Sequence, residues 1–143
     1  MHEFMERAIE QAKRGAVNGG IPIGSILVEN DIVVGTGYNK RVQCSNPILH
    51  AEIDCLQSAG RRESYKKATL YSTLMPCYMC AGAVVQFGIP KVVVGENVTF
   101  KGAKNFLEEH NVEVVIINSL ECKHMMKKFI KENSKLWNED IGK

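Results

Sequence analysis

Apolar residues first recur at helical spacing at Met5, Ala8, Ile9 and Ala12, a stripe that predicts a helix ending at Asn18-Gly19-Gly20 with Pro22 behind it. Two β-rich runs follow, Ile23 to Val28 and Ile32 to Tyr38. Glu29-Asn30-Asp31 between them reads as a hairpin turn, so these strands should be antiparallel. The pattern then alternates: a helix from about His50 to Ala59, a strand Ala68 to Thr73, a helix Tyr78 to Phe87, a strand Lys91 to Val94, a short helix near Ala103 to Glu109 and a strand Val112 to Ile117. Such alternation implies parallel crossovers, and the 17 residues between Thr73 and Lys91 exceed the about ten to twelve that one requires. A last helix carries Cys122, Met125, Met126, Phe129 and Ile130 on one stripe, where the methionines read as core packing. Right-handed connections then place helices on both faces of the sheet. The expected fold is α/β, a three-layer α/β/α sandwich with a mixed five-stranded sheet, in a single domain over residues 1–143.

Composition narrows the classes. With 45% hydrophobic and 24% charged residues the 143-residue chain matches an ordinary globular domain rather than a disordered or collagen-like one. It is long enough to bury a core without staples, so a metal here would be suspected of chemistry. The longest apolar stretch, Met79 to Val85, stops at Gln86, far short of a membrane span. Met1-His2-Glu3-Phe4-Met5-Glu6 carries acids where a secretory signal carries positive charge, which makes the cytoplasm the expected location. Eighteen basic against sixteen acidic residues leave a net +2, too weak a field to argue for a polyanionic partner, so nucleic acid is not expected as one. Arg61, Arg62, Lys66 and Lys67 read as a solvated loop.

Five cysteines is an odd number, and in a reducing compartment thiols serve as ligands, nucleophiles or small buried hydrophobes. His50-Ala51-Glu52 stands 24 residues before Pro76-Cys77-Tyr78-Met79-Cys80, an H-x-E…P-C-x-x-C arrangement that resembles the signature of zinc deaminases. Pro76 suits a helix start, which puts Cys77 and Cys80 in a first turn on one face, where unpaired N–H groups and the helix dipole favour thiolates. His50, after Ser45-Asn46-Pro47 as a possible cap, supplies a third ligand from a second helix start. Residues two apart on a helix point about 200° from one another, so His50 and Glu52 converge only on a target at the helix end. Two thiolates and a neutral imidazole balance Zn²⁺ and leave one position for water, as in catalytic rather than structural sites. Glu52, not a ligand, is then placed to take the proton of that acidified water and deliver it to the leaving side of an amidine-like substrate. A closed structural site needs a fourth protein ligand: Cys44 stays open as a candidate, whereas Cys55 and Cys122 read as buried hydrophobes and His2, His110 and His124 as surface residues.

From Phe4 to Gly142 the sequence resembles the fungal-type cytosine deaminases of the cytidine deaminase superfamily. Besides the two metal segments, the likeness rests on Gly20-Ile21-Pro22-Ile23-Gly24, Tyr38-Asn39, Gly95-Glu96-Asn97-Val98-Thr99-Phe100 and Trp137-Asn138-Glu139-Asp140-Ile141-Gly142. The resemblance implies a homodimeric hydrolase with one zinc per subunit, turning free cytosine into uracil and ammonia in pyrimidine salvage. It implies His50, Cys77 and Cys80 as ligands and Glu52 as proton shuttle. Asn39 and Asp140 read the base, and Ile23, Leu74, Phe100 and Trp137 form the pocket walls or lid. Ala51 and Met75 depart from the family's Gly and Ser and contribute backbone groups, while Val42 replaces a Phe and is expected to reshape the base pocket. The competing readings are a guanine or tRNA adenosine deaminase on the same zinc core and a non-catalytic zinc-stabilised interaction domain.

Overall fold

The computed structural model describes residues 2–143. Helix α1 (His2–Val17) leads into β1 (Gly24–Glu29) and β2 (Ile32–Tyr38), followed by α2 (Ala51–Ala59), β3 (Ala68–Leu74), α3 (Tyr78–Phe87), β4 (Lys91–Glu96), α4 (Lys104–Glu109), β5 (Glu113–Ile116), α5 (Leu120–Glu132) and α6 (Ser134–Asp140). Asn30 and Asp31, with φ of 52° and 61°, form the two-residue hairpin turn between the paired Glu29 and Ile32, a conformation Asn and Asp tolerate well. The strand order is β2-β1-β3-β4-β5. β1 runs antiparallel to β2 and β3, whereas β3, β4 and β5 are parallel, as the change from hairpin to helical crossovers requires.

Alternation along the strands divides the core. Leu27, Leu70, Val92 and Val94 face α2, α3 and α4 through Cys55, Ala81, Val84 and Leu107. Ile26, Val28, Tyr71 and Val93 face α1 and α5 through Met5, Ala8, Ile9 and Cys122. A third cluster, with Ile21, Ile23, Ala51, Leu74, Met126 and Trp137, closes the end of the sheet where β3 and β4 finish. This is the carboxyl edge of the parallel strands, where open α/β sheets place their sites. The one element absent from the pattern reading is α6: the polar segment expected only as a tail is a seven-residue helix held by its buried Trp137.

Two glycines let helices press onto the sheet. A Cβ on Gly24 would lie 2.2 Å from the Ala8 carbonyl oxygen and 2.4 Å from the Ala12 nitrogen, and one on Gly37 would lie 2.3 Å from the Cys55 nitrogen. Backbone on both sides cannot yield as a side-chain tip can. Gly24→Ala is therefore expected to cost about 1–3 kcal/mol by overpacking, read as a lower urea midpoint at an unchanged m value.

Candidate active site

Two helix starts meet at the sheet edge. His50 is the N-cap of α2, in extended conformation with φ −68° and ψ 163°, and Cys77 is the N-cap of α3 with φ −73° and ψ 177°. The helix begins at Tyr78 rather than at Pro76, so Cys77 stands on the cap and Cys80 one turn inside, because the chain is still extended where it leaves β3 through Met75 and Pro76. Nor do Ser45 and Asn46 cap α2: the Asn46 side chain accepts from the Ile48 N–H at 3.1 Å, closing a local turn, and His50 takes the cap itself.

His50 Nδ1 lies 3.5 Å from Cys77 Sγ and 3.7 Å from Cys80 Sγ, and the three ligand atoms fall within 4.8 Å of one another. Tetrahedral zinc bonded to sulfur and imidazole nitrogen holds such atoms about 3.6 Å apart, so the trio fits that ion without rearrangement. Among the described residues no fourth His, Cys, Asp or Glu joins them: Cys55 and Cys122 are buried elsewhere and Cys44 is exposed. Three protein ligands make the site an open, catalytic kind. The Cys77 thiol is lowered to about 4 by the Cys80 hydrogen bond, helped by His50, while the same bond and burial push the Cys80 thiol up.

Asp140, at the end of α6, reaches back into the site. Its Oδ1 lies 3.3 Å from His50 Nε2 and 3.4 Å from Asn39 Nδ2. Burial works against charge on the His50 ring, yet its bonds to Asp140 and Cys77 and the charges of Asp140 and Glu52 raise it to about 10. A carboxylate on the far nitrogen orients a ligating imidazole, leaving Nδ1 to the metal. Glu52, buried on the second residue of α2, has its carboxyl pushed up to about 7 by burial, with the Cys77 thiolate adding and His50 opposing. Such a group takes and returns a proton near neutrality.

The structure brings the remaining expected residues together. Ile23, Leu74, Met75, Phe100 and Trp137 line one pocket with Asn39, His50, Glu52, Cys77 and Asp140, around a cavity of about 20 Å³. That is room for little more than one water molecule. A wider hollow of about 390 Å³, bordered by Pro47, Tyr78 and Gly102, adjoins it and shares His50, Cys77, Phe100, Asp140 and Ile141 with it. Phe100 meets Trp137 edge-on, centroids 5.8 Å apart at 87°. Ala51 stands behind the pocket in the apolar cluster with Ile23 and Leu74. Asn39 is fully buried and accepts from the Arg41 N–H through Oδ1 at 2.9 Å, so its amide is oriented with Nδ2 free of the backbone. Val42 does not reshape the pocket: it is exposed on the loop after β2, away from the lining. Ile141 is the lining residue not singled out beforehand, although its place directly after Asp140 marks it. The larger hollow between α1 and α5, walled by Val17, Met125 and Phe129, holds no such ligand cluster among the described residues.

Residues 1–96 match the cytidine and deoxycytidylate deaminase zinc-binding region. A cytosine deaminase of Candida albicans is 48% identical over 141 residues, which take in 96% of this chain and 94% of that protein. A tRNA-specific adenosine deaminase of Buchnera aphidicola is 35% identical over 133 residues, 91% of this chain and 85% of its own. In structure the chain is similar in fold to the guanine deaminase of Nitrosomonas europaea, with a TM-score of 0.76 at 19% identity over 88% of this chain and 82% of that one. With His50, Cys77 and Cys80 gathered as a three-ligand zinc site inside that matched region, the chain belongs to the cytidine and deoxycytidylate deaminase zinc-binding family.

Proposed function

We propose that this chain is a zinc-dependent hydrolase of the free base cytosine, releasing uracil and ammonia, in which residues 1–143 act as one catalytic domain. The observation that carries the choice of substrate is the reach of α6: Asp140 touches both His50 and Asn39, and Trp137 and Ile141 line the pocket beside them. The 48% identity to a cytosine deaminase supports the same reading.

Bound zinc supplies the acidity that makes water a nucleophile at neutral pH. Glu52 would take one proton of the attacking water and pass it to the ring nitrogen, then take the second from the added hydroxyl and pass it to the amine, which departs as ammonia as the carbonyl forms. Asn39 donates from Nδ2 to the ring carbonyl, because Arg41 already holds its Oδ1. Asp140 accepts from the exocyclic amine while keeping its hold on His50. Phe100 and Trp137 flank the ring and exclude water, with Ile23 and Leu74 at its edges and the backbone of Ala51 and Met75 beside it.

The working form is a homodimer joined through the faces of α2 and α3. Ile48, Tyr78, Met79 and Phe87 are exposed there, an apolar surface beside the site that a second copy would cover. Two free thiols as metal ligands are consistent with work in the reducing cytoplasm. Among the described residues no helix is long and apolar enough to cross a membrane.

Ammonia release from cytosine, cytidine, guanine and a tRNA substrate tests the assignment: cytosine alone should be turned over efficiently, and equal turnover of cytidine or RNA would reject it. Glu52→Ala should lower kcat by at least about 10²-fold while leaving the zinc content of the purified protein unchanged. Phe87→Lys should convert a species of twice the chain mass in sedimentation velocity into one of single mass.

A further inference from the structure

Strand alternation puts Glu96 on the same face of β4 as the core residues Val92 and Val94, a position that calls for an apolar side chain. Instead a carboxylate is fully buried there. A buried charge is costly unless it is hydrogen-bonded, so its partners reveal its purpose. All of them lie in the next three residues. Oε2 accepts from the N–H of Val98 at 2.7 Å and of Thr99 at 2.9 Å, and Oε1 accepts from the Thr99 hydroxyl. The chain is thereby folded back on itself directly before Phe100, the aromatic wall of the pocket.

The far side of the same loop is tacked to the metal-ligand turn. Ala103 N–H donates to the Pro76 carbonyl at 3.0 Å, and Met75 N–H donates to the Glu96 carbonyl at 3.0 Å. Gly102, at φ +64°, lies so close that a Cβ would stand 2.8 Å from the Pro76 oxygen. Only residues 97–101 are left for the Glu96 side chain to shape.

The geometry points to Glu96 as a positioning residue that fixes Phe100 against Trp137 and so sets the width of the base pocket without touching the base. This deepens the cytosine reading and rests on it for the choice of substrate. Removing the carboxylate frees two backbone N–H groups and one hydroxyl, and the loop turns outward to find water, taking Phe100 from its edge-on contact with Trp137. Glutamine keeps the fold of the loop: its oxygen accepts both N–H groups and its amide donates to the Thr99 hydroxyl.

Trp137 is the sole tryptophan, so its emission reports the position of the wall independently of turnover. In zinc-loaded protein, Glu96→Ala is expected to raise KM for cytosine roughly 10-fold or more with kcat within about 3-fold, the signature of lost binding rather than lost chemistry. Its Trp137 emission shifts to the red. Glu96→Gln restores both readouts. Should Glu96→Ala not fold, Thr99→Val removes one of the three bonds and is expected to move both readouts in the same direction by a smaller amount. A folded Glu96→Ala, or Thr99→Val in its place, with wild-type KM and emission overturns the inference, as does a fall in kcat at unchanged KM. Wild-type protein inactive on cytosine would instead sink the substrate assignment, leaving Trp137 emission to decide the role of Glu96.

Discussion

Two helix N-termini aimed at one point are the constraint around which this molecule is built. His50 and Cys77 are both caps with extended backbone, and neither makes a side-chain cap bond, so their side chains are released from local duty and meet between the helices. Both positive helix ends face the pair of sulfurs, and each stabilises a thiolate by about 0.3–1 kcal/mol or somewhat more in a partly buried place. The cluster depends on the sheet beneath it. α2 sits low enough on β2 for His50 to reach only because Gly35 and Gly37 present bare backbone to it, and α3 starts where it does because β3 runs out at Leu74.

Asp140 ties the far end of the chain to this centre. The Asn39–Asp140 contact spans 101 residues, and through it the last helix, the loop after β2 and a metal ligand share one carboxylate. A helix of seven residues has little stability of its own. Trp137 on Phe100 and Asp140 on His50 hold it, so the packing that keeps α6 in place is the same packing that makes the pocket. Order at the carboxyl end of the chain and order at the site are one property.

α1 and α5 were legible in the sequence because their apolar residues recur at helical spacing, and β1, β3 and β4 because they are short apolar runs bounded by turn residues, buried on both faces. The hairpin and the change to parallel pairing followed from Asn30-Asp31 and from the length of the crossovers. The metal trio was legible because Cys77 and Cys80 are one turn apart and His50 carries Glu52 beside it. α6 was not, since Ser134 to Asp140 offers only Leu136 and Trp137 to a core, too few for any period to register. The start of α3 lies two residues beyond Pro76 and the cap of α2 four beyond Asn46, because capping depends on where the extended chain ends. The pocket walls rested on family resemblance, as nothing local joins Asn39 to Asp140 or Phe100 to Trp137. Val42 is the instructive miss: a size change in sequence matters to the pocket only if the side chain lies in its lining, and Val42 does not.

The two outermost strands carry a further consequence. β2 is bulged, its register slipping between Leu27 and Val28 of its neighbour, and β5 is only four residues long. A kinked border on one side and a stunted one on the other offer poor templates for edge-to-edge docking of another chain, which protects a sheet rich in valine and isoleucine from growing into aggregates. Each border of the sheet is thus guarded by its own backbone geometry, without a charged strand or a covering helix being needed there.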